Sequence, residues 1–178
     1  LLDLSKIEAG KLELTFAGVS LNDLTQQCVA IMQPQANRER IILRSSLAPK
    51  LPQIVADARS VRQIVLNLLS NSIKFTGAGG QVIVSTVYEG NGEVVMRVRD
   101  TGRGMSEREI EHAMKPFHQV NVTDERRGQG TGLGLPLTKA LVELHGGRLQ
   151  IESALGQGTS VRIAFPPQRT VVAVPAAL

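Results

Sequence analysis

The sequence has 178 residues, a formal net charge of +4 and 42% hydrophobic residues. This length fits one domain with a short segment at either end, and the hydrophobic content excludes a chain that is disordered throughout. The single cysteine, Cys28, excludes an internal disulfide and a zinc site built from several cysteines. No apolar run reaches the roughly 20 residues of a membrane-spanning helix. The basic residues are dispersed and only 3% of residues are aromatic, so we expect no nucleic-acid partner.

The first predicted elements are a helix, a strand and the start of a second helix. Residues 1–11 have the apolar spacing of a helix, and Gly10 is a suitable helix end. Residues 12–19 alternate enough to predict a strand. Ser20, with Asp23 three residues later, predicts the N-cap of the second helix.

The second helix is expected to bury one apolar face. Pro34 should kink or end this helix, because proline lacks the amide hydrogen and clashes with the preceding turn. After it, residues 41–46 and 53–56 are predicted to form short strands. The apolar positions of the helix are Leu21, Leu24, Cys28 and Ile31.

Capping residues and turns define the elements in the rest of the chain. Asp57 is predicted to cap a helix that ends before Gly77. Ser106, with Glu109 three residues later, predicts a short helix by the capping-box pattern. Residues 114–130 lack clean periodicity and are expected to form a mobile loop. The other predicted elements are strands over 81–88, 93–99, 148–153 and 159–165, and a helix over 131–145.

The order of these elements indicates the fold class. Strands and helices mix without strict strand–helix–strand alternation, which favours a two-layer α/β sandwich over a doubly wound sheet. We therefore expect a mixed sheet packed against about three helices. The chain after Pro166 is rich in proline and alanine and is expected to fray.

Two asparagines stand out in the helix predicted over 58–75. At 100° per residue, Asn67, Asn71 and Lys74 lie within about 60° of one another on its polar face. The simplest interpretation is the solvated side of an amphipathic helix. However, asparagine is a poor helix former, so two of them four residues apart indicate a specific demand. Amide oxygens suit a hard cation such as Mg²⁺, and a neighbouring ammonium suits phosphate oxygens.

A second motif follows the strand predicted over 93–99. Asp100, Gly102 and Gly104 form an Asp-x-Gly-x-Gly pattern that ends in Met105. Alone, this pattern is a common turn, in which aspartate caps and glycines supply unusual backbone angles.

A third motif has alternating glycines ahead of an apolar helix. Gly128, Gly130, Gly132 and Gly134 precede Leu135-Pro136-Leu137. A flexible hinge is the simplest interpretation, but amides exposed at a helix N-terminus also bind anions. The spacing matches neither GxxxxGK[ST] nor GxGxxG. Arg126 and Arg127, just ahead of the glycines, are candidates for phosphate positioning or are solvated charges.

In this order, the three motifs resemble the N, G1 and G2 boxes of the catalytic ATP-binding domain of bacterial two-component sensor histidine kinases, which belong to the GHKL ATPase superfamily and have the Bergerat fold. Pro116-Phe117 lies where that family has its F box. The resemblance implies a Bergerat-type sandwich with a mobile ATP lid. It also divides the chain into the end of a dimerisation and phosphotransfer hairpin (1–11), the catalytic domain (12–166) and a flexible tail (167–178).

The resemblance also implies roles for individual residues. Asn71 would bind Mg²⁺ with support from Asn67, and Lys74 would contact phosphate. Asp100 would accept a hydrogen bond from the adenine amino group and select the base, because a carboxylate offers nothing to the keto oxygen of guanine. Thr159 matches a position near adenine, although a strand-entry turn is the simpler explanation. The implied nucleotide-binding residues are Asn67, Asn71, Lys74, Phe75, Asp100, Gly102, Gly104, Met105, Phe117, Gly128, Gly130, Thr131, Gly132, Leu133, Gly134 and Thr159.

The resemblance implies ATP and Mg²⁺ as cofactors and phosphoryl transfer to a histidine as the reaction. His112, His118 and His145 have no phosphoacceptor-like context, so we expect the acceptor on a separate dimerisation domain and a response regulator receiver domain as the next partner. Since the sequence begins with Leu1, we expect a fragment, monomeric in isolation, of a homodimeric parent. It would be a cytoplasmic domain, with the parent anchored in the inner membrane. The alternatives are a chaperone-like or topoisomerase-type ATPase and a scaffold without catalysis.

Overall fold

The computed structural model describes residues 2–116 and 134–171, which form five helices and seven strands. The helices are α1 (Leu2–Glu8), α2 (Leu21–Arg38), α3 (Ala58–Phe75), α4 (Glu107–Ala113) and α5 (Gly134–Leu144). The strands are β1 (Ala17–Val19), β2 (Ile42–Ser46), β3 (Ile54–Ala56), β4 (Gln81–Tyr88), β5 (Val94–Asp100), β6 (Arg148–Ala154) and β7 (Gly158–Phe165).

The main sheet has five strands in the order β2-β4-β5-β7-β6. The β2 and β4 strands run parallel, and the other neighbouring pairs are antiparallel. The β1 and β3 strands form a separate antiparallel pair. Helices α2, α3 and α5 pack side by side in that order, with α3 over the central strands β4 and β5. This arrangement confirms the predicted two-layer α/β sandwich with a mixed sheet and about three helices.

The α3 helix provides much of the core. Its predicted apolar face is buried throughout, and each fully buried aliphatic side chain contributes about 1.5–3 kcal/mol. Opposite it lie the inward-facing residues of the sheet, such as Val84 and Val98. Burial of one face of α3 leaves its asparagine-bearing side turned away from the core. The buried apolar residues of α3 are Val61, Ile64, Val65, Leu68, Leu69 and Ile73.

Local caps form as the sequence predicts. The Ser20 hydroxyl accepts from the Asp23 amide at 3.3 Å and starts α2. Asp57 Oδ1 accepts from the Ser60 amide at 2.8 Å and starts α3, while its Oδ2 accepts from the Thr15 amide at 2.8 Å. Asp57 therefore caps the helix and also ties down the segment ahead of β1.

The α4 helix forms only half of the predicted capping box. The Ser106 hydroxyl accepts from the Glu109 amide at 3.2 Å. The Glu109 carboxylate does not close the box, since it pairs with Arg103 Nη2 at 3.1 and 3.3 Å. Through Arg103, Glu109 thus links α4 to the Asp-x-Gly-x-Gly turn.

Pro34 does not end α2, because the helix continues to Arg38, and the alternative of a kink at Pro34 stays a prediction. Pro34 is exposed, so water can hydrate the carbonyl that its missing amide leaves unpaired, and burial of Met32 and Ala36 holds both sides of the proline against the core. Ile31, predicted to be buried, is 54% exposed, because the buried stripe passes through Met32 instead.

Two predictions at the edges of the domain need correction. Only Ala17–Val19 of the strand predicted over 12–19 pairs with another strand. The tail predicted to be flexible from 167 is ordered through Val171: a 3-10 turn forms over Pro167–Arg169, and the Val171 amide donates to the Gln53 carbonyl at 2.8 Å. The Arg169 guanidinium lies 4.1 Å from the ring centroid of Phe16. Residues 172–178 lie outside the described residues.

The assignment of residues 1–11 to a separate hairpin stays a prediction. In the structure α1 packs on α5, with Leu4 buried. Over the two described stretches, no helix is both long enough and apolar enough to span a membrane.

Candidate nucleotide-binding site

A row of three polar side chains crosses the end of the sheet. Asp100 on β5 lies opposite Thr159 on β7, and Thr159 lies opposite Ser153 on β6. Directly opposite residues on neighbouring strands share one face. Ser72 of α3 contacts Asp100, so this face is the one that the helices cover.

Asp100 is a buried acid, with 6% of its surface exposed. Its Oδ1 accepts from the Gly102 amide at 2.9 Å and from the Thr159 amide at 3.2 Å, and the Ser72 hydroxyl also hydrogen-bonds the carboxyl. Burial raises the pKa of Asp100, although these three hydrogen bonds act in the opposite direction. An ionised carboxylate offers about four acceptor positions, so these bonds leave capacity for a donor on a ligand.

The glycines of this motif are required by contacts within the protein. A Cβ on Gly102 would collide with the Phe75 carbonyl at the end of α3. A Cβ on Gly104 would collide with the Ala154 carbonyl, and Gly104 also has a φ of +70°. The turn after Asp100 is therefore wedged between α3 and the hairpin that joins β6 to β7. Direct contact of Gly102 and Gly104 with a base stays a prediction.

Asn67 faces the start of α5. Its Nδ2 lies 3.4 Å from the Thr138 hydroxyl, which itself donates to the Gly134 carbonyl at 2.7 Å. Because the Thr138 proton is used on Gly134, the Asn67 amino group must be the donor to Thr138. Asn67 Oδ1 then points away from Thr138 and can serve as a ligand. The structure thus brings the N-box residue Asn67 beside Gly134, the last glycine of the third motif.

Asn71 and Lys74 lie on the same side of α3 as Asn67, and both are half-buried. The Lys74 ammonium lies 5.4 Å from the ring centroid of Phe75. Burial lowers the pKa of Lys74. Two amide side chains with a cation beside them fit Mg²⁺ bound to nucleotide phosphates, because Mg²⁺ takes few protein oxygens and shares phosphate oxygens.

Several predicted site residues lie outside the described part of the chain. They include the phosphate-positioning candidates and most of the glycine-rich motif, and most of the predicted loop 114–130 lies there too. These residues are Phe117, Arg126, Arg127, Gly128, Gly130, Thr131, Gly132 and Leu133.

Comparison with known proteins identifies the family. The profile described as histidine kinase-, DNA gyrase B-, and HSP90-like ATPase matches residues 56–169, which include both asparagines, Asp100 and Thr159. The chain belongs to this ATPase family. The segment that matches the profile ends at residue 169, three residues past Pro166, and so includes the 3-10 turn over Pro167–Arg169.

Relatives of this ATPase domain are named histidine kinases. A cell-division control histidine kinase, PdhS of Brucella abortus (strain S19), is 59% identical over 179 aligned positions, which cover 96% of this chain and 17% of the relative. PdhS of Brucella suis biovar 1 (strain 1330) gives the same identity and coverage. The chain thus spans about a sixth of the length of these curated relatives. Their names confirm the resemblance to a histidine kinase catalytic domain.

Solved structures support the same fold. The crystal structure of full-length ShkA in complex with AMPPNP is 31% identical to this ATPase domain with a TM-score of 0.83, over 97% of this chain and 35% of that one. The nucleotide-free catalytic domain of the histidine kinase ThkA has a TM-score of 0.75 at 23% identity, over 88% of this chain and 99% of that one. At that identity, ThkA supports the fold alone.

Sequence reasoning missed three polar residues of the ATPase domain. Ser72 is buried on the apolar face of α3 and bonds Asp100. Its position among Leu68, Leu69 and Ile73 was a detectable signal, since a polar residue on a buried stripe requires a partner. Thr138 and Ser153 gave no comparable signal, because their contacts with Asn67 and Met105 join residues that are 71 and 48 positions apart in sequence.

Two histidines of the ATPase domain can be assessed in the structure. His145 is fully buried, its Nδ1 donates to the Leu141 carbonyl at 2.7 Å, and its Nε2 accepts from the Asp57 amide at 3.1 Å. Both ring nitrogens are therefore occupied in the folded domain. His112 is half-buried on α4, and His118 lies outside the described residues.

Proposed function

We propose that this domain binds ATP with Mg²⁺ and supplies the γ-phosphoryl group to a histidine on a dimerisation and phosphotransfer domain outside this chain. The bond from the γ-phosphorus to ADP breaks, a bond to an imidazole nitrogen forms, and the imidazole loses a proton. A receiver domain of a response regulator is the proposed next acceptor. The 59% identity to proteins named histidine kinases supports this proposal.

The observation that carries the binding part of the proposal is Asp100. A buried carboxylate is costly unless it has hydrogen-bond partners, and here two backbone amides and a hydroxyl hold it with acceptor capacity to spare. The adenine amino group is a donor that fits this acceptor. The AMPPNP bound to ShkA, the 31% identical relative, supports the same ligand class.

We propose that the face of α3 with Asn67 and Asn71 binds the Mg²⁺–phosphate end of the nucleotide. Asn71 and Asn67 would supply oxygen ligands, and Lys74 would contact phosphate. Bound Mg²⁺ would neutralise charge on the phosphates. The described domain contributes position: the turn after Asp100 is fixed against α3, so the base end and the metal end share one rigid support.

A hydrolytic ATPase is the second candidate, and the sequence of α3 argues against it. Ala58–Phe75 contains no aspartate or glutamate, whereas ATPases of this superfamily carry a catalytic glutamate on this helix. We therefore expect slow ATP hydrolysis by the isolated chain. A scaffold without nucleotide binding is disfavoured by the hydrogen-bonded Asp100. The homodimeric parent and the monomeric fragment stay predictions.

Calorimetric titration of the chain with ATP, with and without Mg²⁺, tests this proposal. We expect saturable one-site binding that is tighter when Mg²⁺ is present. Absence of binding in both conditions would favour the scaffold.

A further inference from the structure

Ser153 is connected to three parts of the proposed site at once. Its Oγ accepts from the Met105 amide at 2.7 Å, lies 3.0 Å from the Gly158 carbonyl and lies 2.7 Å from the Thr159 hydroxyl. Met105 follows the turn of Asp100, and Thr159 donates its amide to Asp100. Ser153 therefore touches both neighbours of the base-selecting acid without touching the acid itself.

Counting protons fixes the direction of each of these bonds. A serine hydroxyl has one proton and two lone pairs. The Met105 amide can only donate, and the Gly158 carbonyl can only accept. Ser153 must therefore give its proton to Gly158, and the Thr159 hydroxyl must give its proton to Ser153. If Ser153 instead donated its proton to Thr159, the Ser153 oxygen and the Gly158 carbonyl would be two acceptors 3.0 Å apart without a proton between them.

We propose that Ser153 is a positioning residue that makes Thr159 present only an acceptor to the base. With its proton used on Ser153, the Thr159 oxygen has lone pairs but no donor for a ligand. It lies directly opposite Asp100, which is also an acceptor. This proposal rests on the proposed function and goes beyond it, because it assigns base selectivity to a residue on β6 as well as to Asp100.

Two acceptors that both face position 6 of the purine favour adenine, because its 6-amino group has two hydrogens and can donate to each of them. Position 6 of adenine carries an amino group, which donates. Hypoxanthine and guanine carry a keto oxygen there, which accepts and would be repelled. If Ser153 is removed, the Thr159 hydroxyl is free to rotate and donate to that keto oxygen. Selectivity for adenine should then fall.

The test compares Mg²⁺-ADP with Mg²⁺-IDP, which differ at the six-membered ring and not in the phosphates. Calorimetry on the complete chain gives the ratio of the IDP to the ADP dissociation constant. We expect Ser153→Ala to lower this ratio by about threefold to tenfold, the range of one neutral hydrogen bond. Ser153→Thr keeps the hydroxyl and should keep the wild-type ratio.

A double mutant separates this role from a general structural one. In a Thr159→Val background no hydroxyl remains to rotate, so adding Ser153→Ala should leave the ratio unchanged. Loss of the Met105 contact would weaken both nucleotides equally and would not move the ratio. An unchanged ratio in Ser153→Ala, or an equal drop in the Thr159→Val background, would overturn the proposal. If Ser153→Ala does not fold, a changed ratio in Ser153→Thr would overturn it instead.

Failure of the proposed function would give a different result. If the wild-type chain bound neither ADP nor IDP, the nucleotide site itself would be wrong. Tight ADP binding with an unchanged ratio in Ser153→Ala would overturn the role of Ser153 alone.

Discussion

Replacing Asp100 by asparagine should weaken the binding of ADP without lowering the free energy of unfolding at neutral pH. Oδ1 accepts from the Gly102 and Thr159 amides, so the asparagine oxygen can keep both bonds and the new NH₂ must take the Oδ2 position. That group donates where the carboxylate accepted, and in the proposed complex it would face the amino group of adenine, which also donates. The loss of a charged hydrogen bond costs about 1.5–3 kcal/mol, which is roughly a 10- to 150-fold weaker affinity for ADP.

The same substitution should not destabilise the fold at neutral pH. Burial raises the pKa of Asp100 above its unfolded value, so its protonated form contributes stability that is present below about pH 4 and lost as pH rises through the folded pKa. Above the folded pKa the wild type has lost that contribution, whereas asparagine cannot ionise. We expect the free energy of unfolding of Asp100→Asn to equal or exceed that of the wild type at pH 7, with the difference growing from pH 4 to pH 7.

Calorimetric titration with ADP tests the predicted loss of affinity. Urea unfolding at several pH values tests the predicted free energy of unfolding. Asp23→Asn, which changes an exposed acid in the first turn of α2, is the matched control: it should leave ADP affinity unchanged and lower the free energy of unfolding by at most about 1 kcal/mol, the contribution of a charge near a helix N-terminus. Equal ADP affinity in Asp100→Asn and wild type would refute the assignment of the base-selecting acid. A marked loss of stability at pH 7 would refute the account of its burial.

The remaining predictions concern the metal and a buried histidine. Asn71→Ala should remove the Mg²⁺-dependent part of ATP affinity, about 1.5–3 kcal/mol, and leave adenosine binding unchanged in the same titration; an unchanged Mg²⁺ dependence would contradict the ligand role. Burial lowers the pKa of His145, so the stability that its neutral form contributes should be lost as pH falls below about 6.5. Urea unfolding between pH 8 and pH 5 should show this decline in wild type and in His112→Gln, and a smaller one in His145→Gln. Equal slopes in all three proteins would contradict the prediction.

The parts of the fold that were predictable from sequence depend on neighbouring residues. Ser20 and Asp57 cap helices through amides three residues away, so short motifs revealed them. The proton arrangement around Ser153 depends on the register of β6 against β7 and on a turn 48 residues earlier, which no local pattern encodes.

The errors have a related cause. Pro34 is a helix breaker by local rules, but burial of Met32 and Ala36 carries α2 past it. The tail contains prolines, yet Val171 finds a backbone partner in Gln53. In both places tertiary contacts outweighed the local preference.

Phosphoryl transfer is the most direct test of the proposed function. The chain is incubated with ATP and Mg²⁺, alone and with a dimerisation domain that carries an acceptor histidine. Transfer requires the γ-phosphorus and the imidazole nitrogen to approach within about 3–3.5 Å, and His145 is excluded because it is buried with both nitrogens bonded. We predict no self-labelling and acid-labile, alkali-stable phosphate on the added domain. Robust labelling of the isolated chain on His112, His118 or His145 would contradict the account.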